Sequence, residues 1–275
     1  MEIFMLALLF VLASASVAGA EKVVGPDGSS VSGSVTVMGT GDISISGGPF
    51  VTTNSNGGVE LIGGSMVTAD GKGAPLSVLR TDIEYKITGT RGNLASNGQI
   101  ANFLDVKGYS LWINNVDSQI TRTNGAAIVN DIKGADNLVT YSNSNAEIIE
   151  SANGIIHNLF NVAGGCYLSN EQTASVRGKS SRYTILNSLN GWTNGRVDNI
   201  MSISNNAFSN TDISSTLTNK IGLIARGDVR SDMSIKDLTK ITGPYADSQM
   251  AVNWAKINSL NGKVWSKQDI YLAAK

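Results

Sequence analysis

The chain is poor in the side chains that most often carry out chemistry. Its 275 residues include one cysteine, Cys166, and one histidine, His157. A lone cysteine cannot form an internal disulfide, so we expect Cys166 to be buried as a small apolar group, with an intermolecular bond as the alternative. A Ser-His-Asp or Cys-His centre would need His157, which lies in an apolar segment without a nucleophile motif. One histidine and one cysteine also cannot complete a structural zinc site without carboxylates. We therefore predict no catalytic residue, no cofactor and no metal.

Charge is scarce as well. Charged residues make up 16% of the chain, and the formal net charge is −1. Such a surface offers no basic patch for nucleic acid or for an anionic membrane. It also repels other copies of itself weakly. We therefore expect no nucleic-acid partner, and self-association costs little electrostatic energy.

Long apolar runs are missing except at the N-terminus. An uncharged run from Ile3 to Ala13 precedes the small residues Ala18-Gly19-Ala20, which resemble a signal-peptidase site. The basic segment that usually comes first is absent, and Glu2 stands there instead. The run is shorter than the roughly 20 residues that span a bilayer, which argues against the alternative, an uncleaved anchor. We predict that residues 1–20 are a signal peptide and that the mature chain is secreted, with no membrane span.

Short alternating segments fill the first half of the mature chain. Apolar residues alternate with polar ones in Val35-Thr36-Val37, Ile43-Ser44-Ile45 and Ile83-Glu84-Tyr85-Lys86-Ile87. A period of two places the apolar groups on one face of a β-strand. The pattern predicts an all-β fold.

Pairs of Asx and glycine recur along the chain at nearly constant intervals. The steps from Asp70-Gly71 through Asn97-Gly98 and Asn124-Gly125 to Asn153-Gly154 are 27, 27 and 29 residues. That interval suits one coil of a right-handed β-helix-like solenoid, in which Asn and Ser line up between stacked coils. It also suits successive strand pairs of an antiparallel β-sandwich. The solenoid is slightly favoured.

The C-terminal segment has a different spacing of apolar residues. Ala251, Trp254, Ile257 and Leu260 follow one another at intervals of three, which favours an amphipathic helix. We expect a short C-terminal α-helix that caps the β core. The predicted organisation is a signal peptide at 1–20, a β domain at 21–243 and a helical cap at 244–275.

Carboxylate chemistry has little support in the sequence. Asp82 with Glu84, and Asp228 with Asp232, can each share a strand face, as the acids of β-helix polysaccharide lyases and hydrolases do. Neither pair is accompanied by a local cluster of acidic and basic residues. We interpret them as solvated surface carboxylates, with a polysaccharide-degrading enzyme as an alternative.

Four tryptophans are candidates for stacking on sugars. Trp192 is flanked by Asn190-Gly191 and Asn194-Gly195, and turns expose their side chains. We select Trp192 as the candidate glycan-stacking residue. Core packing is expected for the other three, Trp112, Trp254 and Trp265.

Two segments carry a resemblance to a known group of proteins. Gly33-Ser34-Val35-Thr36-Val37 and the segment from Gly41 to Gly48 resemble those of secreted cell-envelope proteins of methanogenic archaea, including tubular-sheath subunits. The resemblance implies a β-rich subunit that packs into an insoluble, amyloid-like wall. It implies edge-to-edge strand pairing between subunits, with Val35, Val37, Ile43 and Ile45 on the adhesive edges.

These observations favour a structural role over catalysis. The predicted function is a secreted cell-envelope subunit, of a sheath or surface layer, that self-assembles through β-strand edges into an oligomer or fibre. A surface adhesin or carbohydrate-binding module that contacts cell-surface polysaccharide is the first alternative.

Overall fold

The chain folds as a β-solenoid of about six turns, as predicted, and 76% of it is strand. The computed structural model describes residues 15–72, 76–90 and 96–273. The strands within these residues are β1 (Ala15–Val24), β2 (Ser30–Gly39), β3 (Asp42–Gly47), β4 (Phe50–Thr53), β5 (Val59–Asp70), β6 (Val78–Thr88), β7 (Asn97–Lys107), β8 (Leu111–Thr121), β9 (Gly125–Ala135), β10 (Val139–Ile149), β11 (Asn153–Ala163), β12 (Tyr167–Lys179), β13 (Arg182–Thr193), β14 (Arg196–Ser209), β15 (Ile213–Ala225), β16 (Val229–Asp237), β17 (Lys240–Ile241), β18 (Asp247–Ser259) and β19 (Val264–Leu272).

Two sheets enclose the core. Sheet A has the order β1-β2-β6-β8-β10-β12-β14-β16-β19, and sheet B has the order β18-β15-β13-β11-β9-β7-β5-β3. From β5 onward, successive coils pair in parallel and each contributes one long strand to each sheet. The two-residue β17 is an additional strand that pairs with β14 in sheet A. At the N-terminal end, β1, β2, β3 and β4 pair antiparallel instead.

The alternating sequence pattern places apolar residues between the sheets. In sheet B, Ile100, Ile128, Ile156, Ile185 and Leu217 lie directly above one another on successive strands, and all are buried. These stacked aliphatic side chains exclude water from the interior between β7 and β15. Each fully buried side chain of this size contributes about 1.5–3 kcal/mol.

An asparagine column runs through the same core. The side-chain nitrogen of each member donates to the side-chain oxygen of the next one, over 2.9, 2.9, 3.1, 3.1 and 2.9 Å. Its members are Asn102, Asn130, Asn158, Asn187, Asn219 and Asn253. Because every buried amide has a partner in the coil beyond it, the column fixes the register of the coils. The expectation that Asn lines up between coils is thus met inside the core.

The repeat inferred from the Asx-Gly pairs corresponds to the coils. Hydrogen-bonded column residues are 28 residues apart early in the solenoid and 32 to 34 apart near its C-terminal end. The pairs do not all lie in turns: Asn97-Gly98 and Asn153-Gly154 begin β7 and β11, and Asn190-Gly191 lies inside β13. Gly191 uses its positive φ of 127° there to continue the ladder next to Val162.

The predicted C-terminal helix is wrong. Its residues form β18 and β19, which extend sheets B and A by one strand each. The spacing of Ala251 and Ile257 is compatible with a strand as well as a helix, because both residues fall on the inward face of β18. Pairing with the open edges of β15 and β16 satisfies backbone groups that a docked helix would leave unpaired.

The predicted signal peptide lies mostly outside the described residues. Of residues 1–20, only 15–20 are described, and they form the first part of β1. No helix within the described residues is long and apolar enough to cross a bilayer.

Candidate functional site

The C-terminal coil leaves one edge of each sheet open. Within the described residues, β18 pairs only with β15, and β19 pairs only with β16. The inward side chains of β19 are therefore covered on one side only. Val264, Ile270 and Leu272 stack on the inward residues of β16 yet are 44%, 47% and 42% exposed. This end presents both unpaired backbone groups and an uncovered layer of core.

The N-terminal end carries the residues that the sequence predicted as adhesive edges. Val35 and Val37 of β2 face inward and are buried, and Ile43 and Ile45 of β3 pack on the same core. The two strands belong to opposite sheets, so the four side chains form the last core layer at this end. β3 is an edge strand, whereas β2 is covered by β1.

A small cavity opens between the sheets at this N-terminal end. Its volume is about 140 Å³, and Val35, Ile45, Tyr85 and Glu21 are among its lining residues. Burial, together with the nearby Glu21 carboxylate, raises the pKa of the Tyr85 hydroxyl.

The two ends carry opposite charge. Residues 243–275 contain four lysines and two aspartates, which gives their side chains a formal charge of +2. Residues 21–53 contain Glu21, Asp27 and Asp42 against Lys22, which gives −2. Opposite charges steer two surfaces toward each other and raise their association rate.

A second candidate site lies on the outer face of sheet A. A shallow depression of about 410 Å³ brings Asp82 and Glu84 of β6 together with Asp117 and Glu171. Sequence reasoning identified the first pair but missed the other two, which β8 and β12 supply. The second predicted pair does not form such a group: Asp228 lies in the turn before β16 and accepts a hydrogen bond from the backbone of Lys263.

The depression is lined by amide and carboxylate side chains. Burial alone would raise the pKa of Asp82, but hydrogen bonds from Arg80 and Asn115, with the Arg80 charge, outweigh burial and lower it. Asp117 accepts from Asn145 over 2.9 Å. A glycosidase needs one carboxyl held protonated as a general acid. The pKa of Asp82 is shifted in the opposite direction, which favours its charged form.

Two of the three tryptophans that were expected in the core are exposed instead. Trp192 is 45% exposed on the outer face of sheet B, on strand β13 instead of on a turn. Trp112 is buried, as expected. Trp254 and Trp265 were predicted to be core residues, but they point outward on the terminal coil, where they lie beneath the cations of Lys220 and Arg230. The outward face of a solenoid strand is open to solvent, which overrides the usual burial of tryptophan.

The two residues with intrinsic reactivity lie apart from these sites. His157 is half-buried on the outer face of sheet B, on β11. Cys166 is exposed in the turn before β12, which corrects the expectation that it is buried, because Gly164 and Gly165 turn the chain outward there. Among the described residues, no group of three His, Cys, Asp or Glu side chains is arranged to hold a metal ion.

No protein-family model, curated protein or solved structure matches this chain.

Proposed function

We propose that this protein is a secreted structural subunit of the cell envelope, of a sheath or surface layer, that self-assembles end to end through the strand edges of its solenoid. The main support is the C-terminal coil, where the inward apolar residues of β19 are 42–47% exposed and both β18 and β19 leave a strand edge open. A second copy stacked on this coil would cover that layer as each interior coil covers the one before it. The joint is heterologous, so it propagates into a fibre instead of closing into a dimer.

Charge and strand direction support the same joint. The side chains of the C-terminal coil sum to +2 and those of the N-terminal strands to −2. β3 runs antiparallel to β5, whereas β18 runs parallel to the other strands of sheet B. An incoming β18 can therefore extend sheet B by antiparallel pairing with β3. Val35, Val37, Ile43 and Ile45 would form the N-terminal half of the contact.

A matched pair of substitutions in β19 tests the proposal. Ile270 faces the core and Tyr271 faces outward, and both are exposed. In a chain of residues 21–275, Ile270→Lys places a charge inside the joint, whereas Tyr271→Lys places it on the outer surface. We expect the parent chain and the Tyr271→Lys variant to form fibres by electron microscopy and sedimentation, and the Ile270→Lys variant to stay monomeric.

Two outcomes would contradict the proposal. A parent chain that remains monomeric at high concentration in native buffer contradicts the proposal. Equal assembly of the two variants contradicts the proposed joint. Thermal unfolding of both variants checks that each is folded.

The exposed Trp192 favours a second candidate function, a carbohydrate-binding module or adhesin. Its ring stands on a rigid strand between Ala163 and Ile224 of the neighbouring coils, which is a flat setting suited to stacking on a sugar. Trp192→Ala would then abolish retention on cell-surface polysaccharide without changing thermal unfolding. Outward Trp254→Ala serves as the matched control.

A further inference from the structure

The predicted signal-peptide segment covers part of the proposed joint. The backbone of Ala15–Ala18 in β1 pairs with Val35–Met38 of β2, and Glu21–Val24 pairs with Ser30–Gly33. The register shifts between the two halves, between Ala18 and Glu21. The predicted cleavage site, after Ala20, therefore lies where strand pairing is already interrupted.

Removal of residues 1–20 would uncover one half of β2. Val35 and Val37 would lose the neighbouring strand at the edge of sheet A. The hairpin of Glu21–Val24 and Ser30–Gly33 would stay. The uncovered half would then resemble the C-terminal coil, with an open strand edge above inward apolar residues. An open edge of this kind pairs readily with a strand from another chain.

Strand direction identifies which strand fits. β1 is antiparallel to β2, and β2 is antiparallel to β6. All later strands of sheet A are parallel to β6, so β19 runs in the same direction as β1. The β19 strand of a second copy can therefore lie where Ala15–Ala18 lies, antiparallel to β2.

On the side of β3, the same removal makes the two sheets end at the same height at the N-terminal end. With the segment in place, sheet A extends two strands beyond β6, whereas sheet B extends one strand beyond β5. Without it, β2 and β3 are both terminal, each antiparallel to the coil beneath. The C-terminal end is also level, with one strand in each sheet. With residues 15–20 in place, sheet A would project by one strand spacing, about 4.8 Å, and would keep the N-terminal end of one copy from meeting the C-terminal end of the next on this side.

We propose that residues 15–20 occupy the docking site for β19 of a second copy, so that cleavage after Ala20 switches on end-to-end assembly. This inference rests on the proposed function. It confines assembly to chains that have been processed at export, which prevents fibres from forming inside the cell.

Two full-length proteins with inserted sites for a sequence-specific protease test the switch. One carries a site between Ala13 and Ser14, so that cutting removes the apolar run but keeps the strand. The other carries this site and a second one between Ala20 and Glu21, so that cutting also releases residues 14–20. Both are purified uncut, cut with the same protease and followed by sedimentation and electron microscopy.

The chain that begins at Glu21 is expected to form fibres at a concentration at least about tenfold lower than the chain that begins at Ser14. Hydrogen exchange gives an independent readout below the assembly concentration. Those amides of Val35–Met38 that point to β1 should exchange slowly in the chain from Ser14, rapidly in the monomeric chain from Glu21, and slowly again in its fibres. The alternate amides point to β6, stay paired in all three states and serve as an internal control.

The outcomes separate this inference from the proposed function. If both cut chains assemble at the same concentration, the switch is refuted and the proposed function stands. If neither assembles, both proposals fail. If the chain from Ser14 assembles at the lower concentration, the segment promotes assembly, and the inference is also refuted.

Discussion

The side-chain nitrogen of Asn130 donates to the side-chain oxygen of Asn158, 28 residues later, over 2.9 Å. Both residues are buried, and Asn158 in turn donates to Asn187 over 3.1 Å and to the backbone oxygen of Thr173 over 3.0 Å. A side chain that is simultaneously donor and acceptor can repeat indefinitely along a stack of coils. The asparagine column therefore gives adjacent coils of sheet B a polar contact inside the core that fixes their register.

Replacing Asn158 should be costly. Asn158→Ala leaves the side-chain oxygen of Asn187 without its donor, leaves Asn130 only its longer bond of 3.3 Å to Ser144, and opens a void. We therefore expect a loss of about 3 kcal/mol or more in the free energy of unfolding. Asn161→Ala changes the same residue type on the exposed face of the same strand and should cost less than about 0.5 kcal/mol. Urea denaturation measures both. Equal losses for the two variants would show that the column contributes little.

Gly191 is predicted to be irreplaceable. Its φ is +127°, and a Cβ atom there would lie 1.8 Å from the backbone oxygen of Val162. Gly191→Ala should therefore lower the free energy of unfolding by about 3 kcal/mol or more. Gly222 provides the control, because a Cβ atom there would come no nearer than 3.0 Å, to the side chain of Asn190. The prediction fails if the two alanine variants melt at the same temperature.

Alkaline pH should destabilise the fold through Tyr109. Burial, and secondarily the Asp70 and Asp42 carboxylates, raise the pKa of the Tyr109 hydroxyl to about 12. In the unfolded chain this hydroxyl loses its proton near its ordinary pKa of 10. The unfolded state therefore binds fewer protons between pH 10 and 12, and the free energy of unfolding falls as the pH rises through that window.

Tyr109→Phe removes this contribution. The variant should lose stability less steeply than the parent chain between pH 10 and 12, and urea titrations at several pH values measure the two slopes. Tyr183, whose pKa burial also raises, is present in both chains and cancels in the comparison. Parallel slopes would rule out a raised pKa at Tyr109.

The sequence predicted the all-β fold but neither the C-terminal strands nor the acidic depression. Alternation in Val35-Thr36-Val37 predicted β-strands because it is a local pattern, and the regular Asx-Gly interval slightly favoured a solenoid over a sandwich. The C-terminal strands could not be predicted in this way, since the same apolar spacing fits a helix and the choice depends on the open edges of β15 and β16. The acidic depression is also non-local: Asp82, Asp117 and Glu171 meet only because the coil lengths bring them into register.

The opposite charges of the two ends predict that a lysine on the C-terminal coil affects the rate of fibre growth, whereas a lysine in the middle of the solenoid does not. Lys133 and Lys256 lie in the same outward column of sheet B, with Asn161, Asn190 and Gly222 between them. Lys256 belongs to the terminal coil, whereas Lys133 lies in the middle of the solenoid. Lys256→Glu reduces the charge of the C-terminal end from +2 to 0, while Lys133→Glu leaves it unchanged.

In chains that begin at Glu21, Lys256→Glu should slow fibre growth several-fold at low salt, and the difference should shrink at high salt, where a Debye length of about 3 Å at 1 M screens the ends from each other. Lys133→Glu should grow at the parent rate at both salt concentrations. Light scattering at matched protein concentrations measures all three rates. Equal slowing by the two substitutions would mean that growth responds to the net charge of the whole subunit, and the end-to-end joint would lose its electrostatic support.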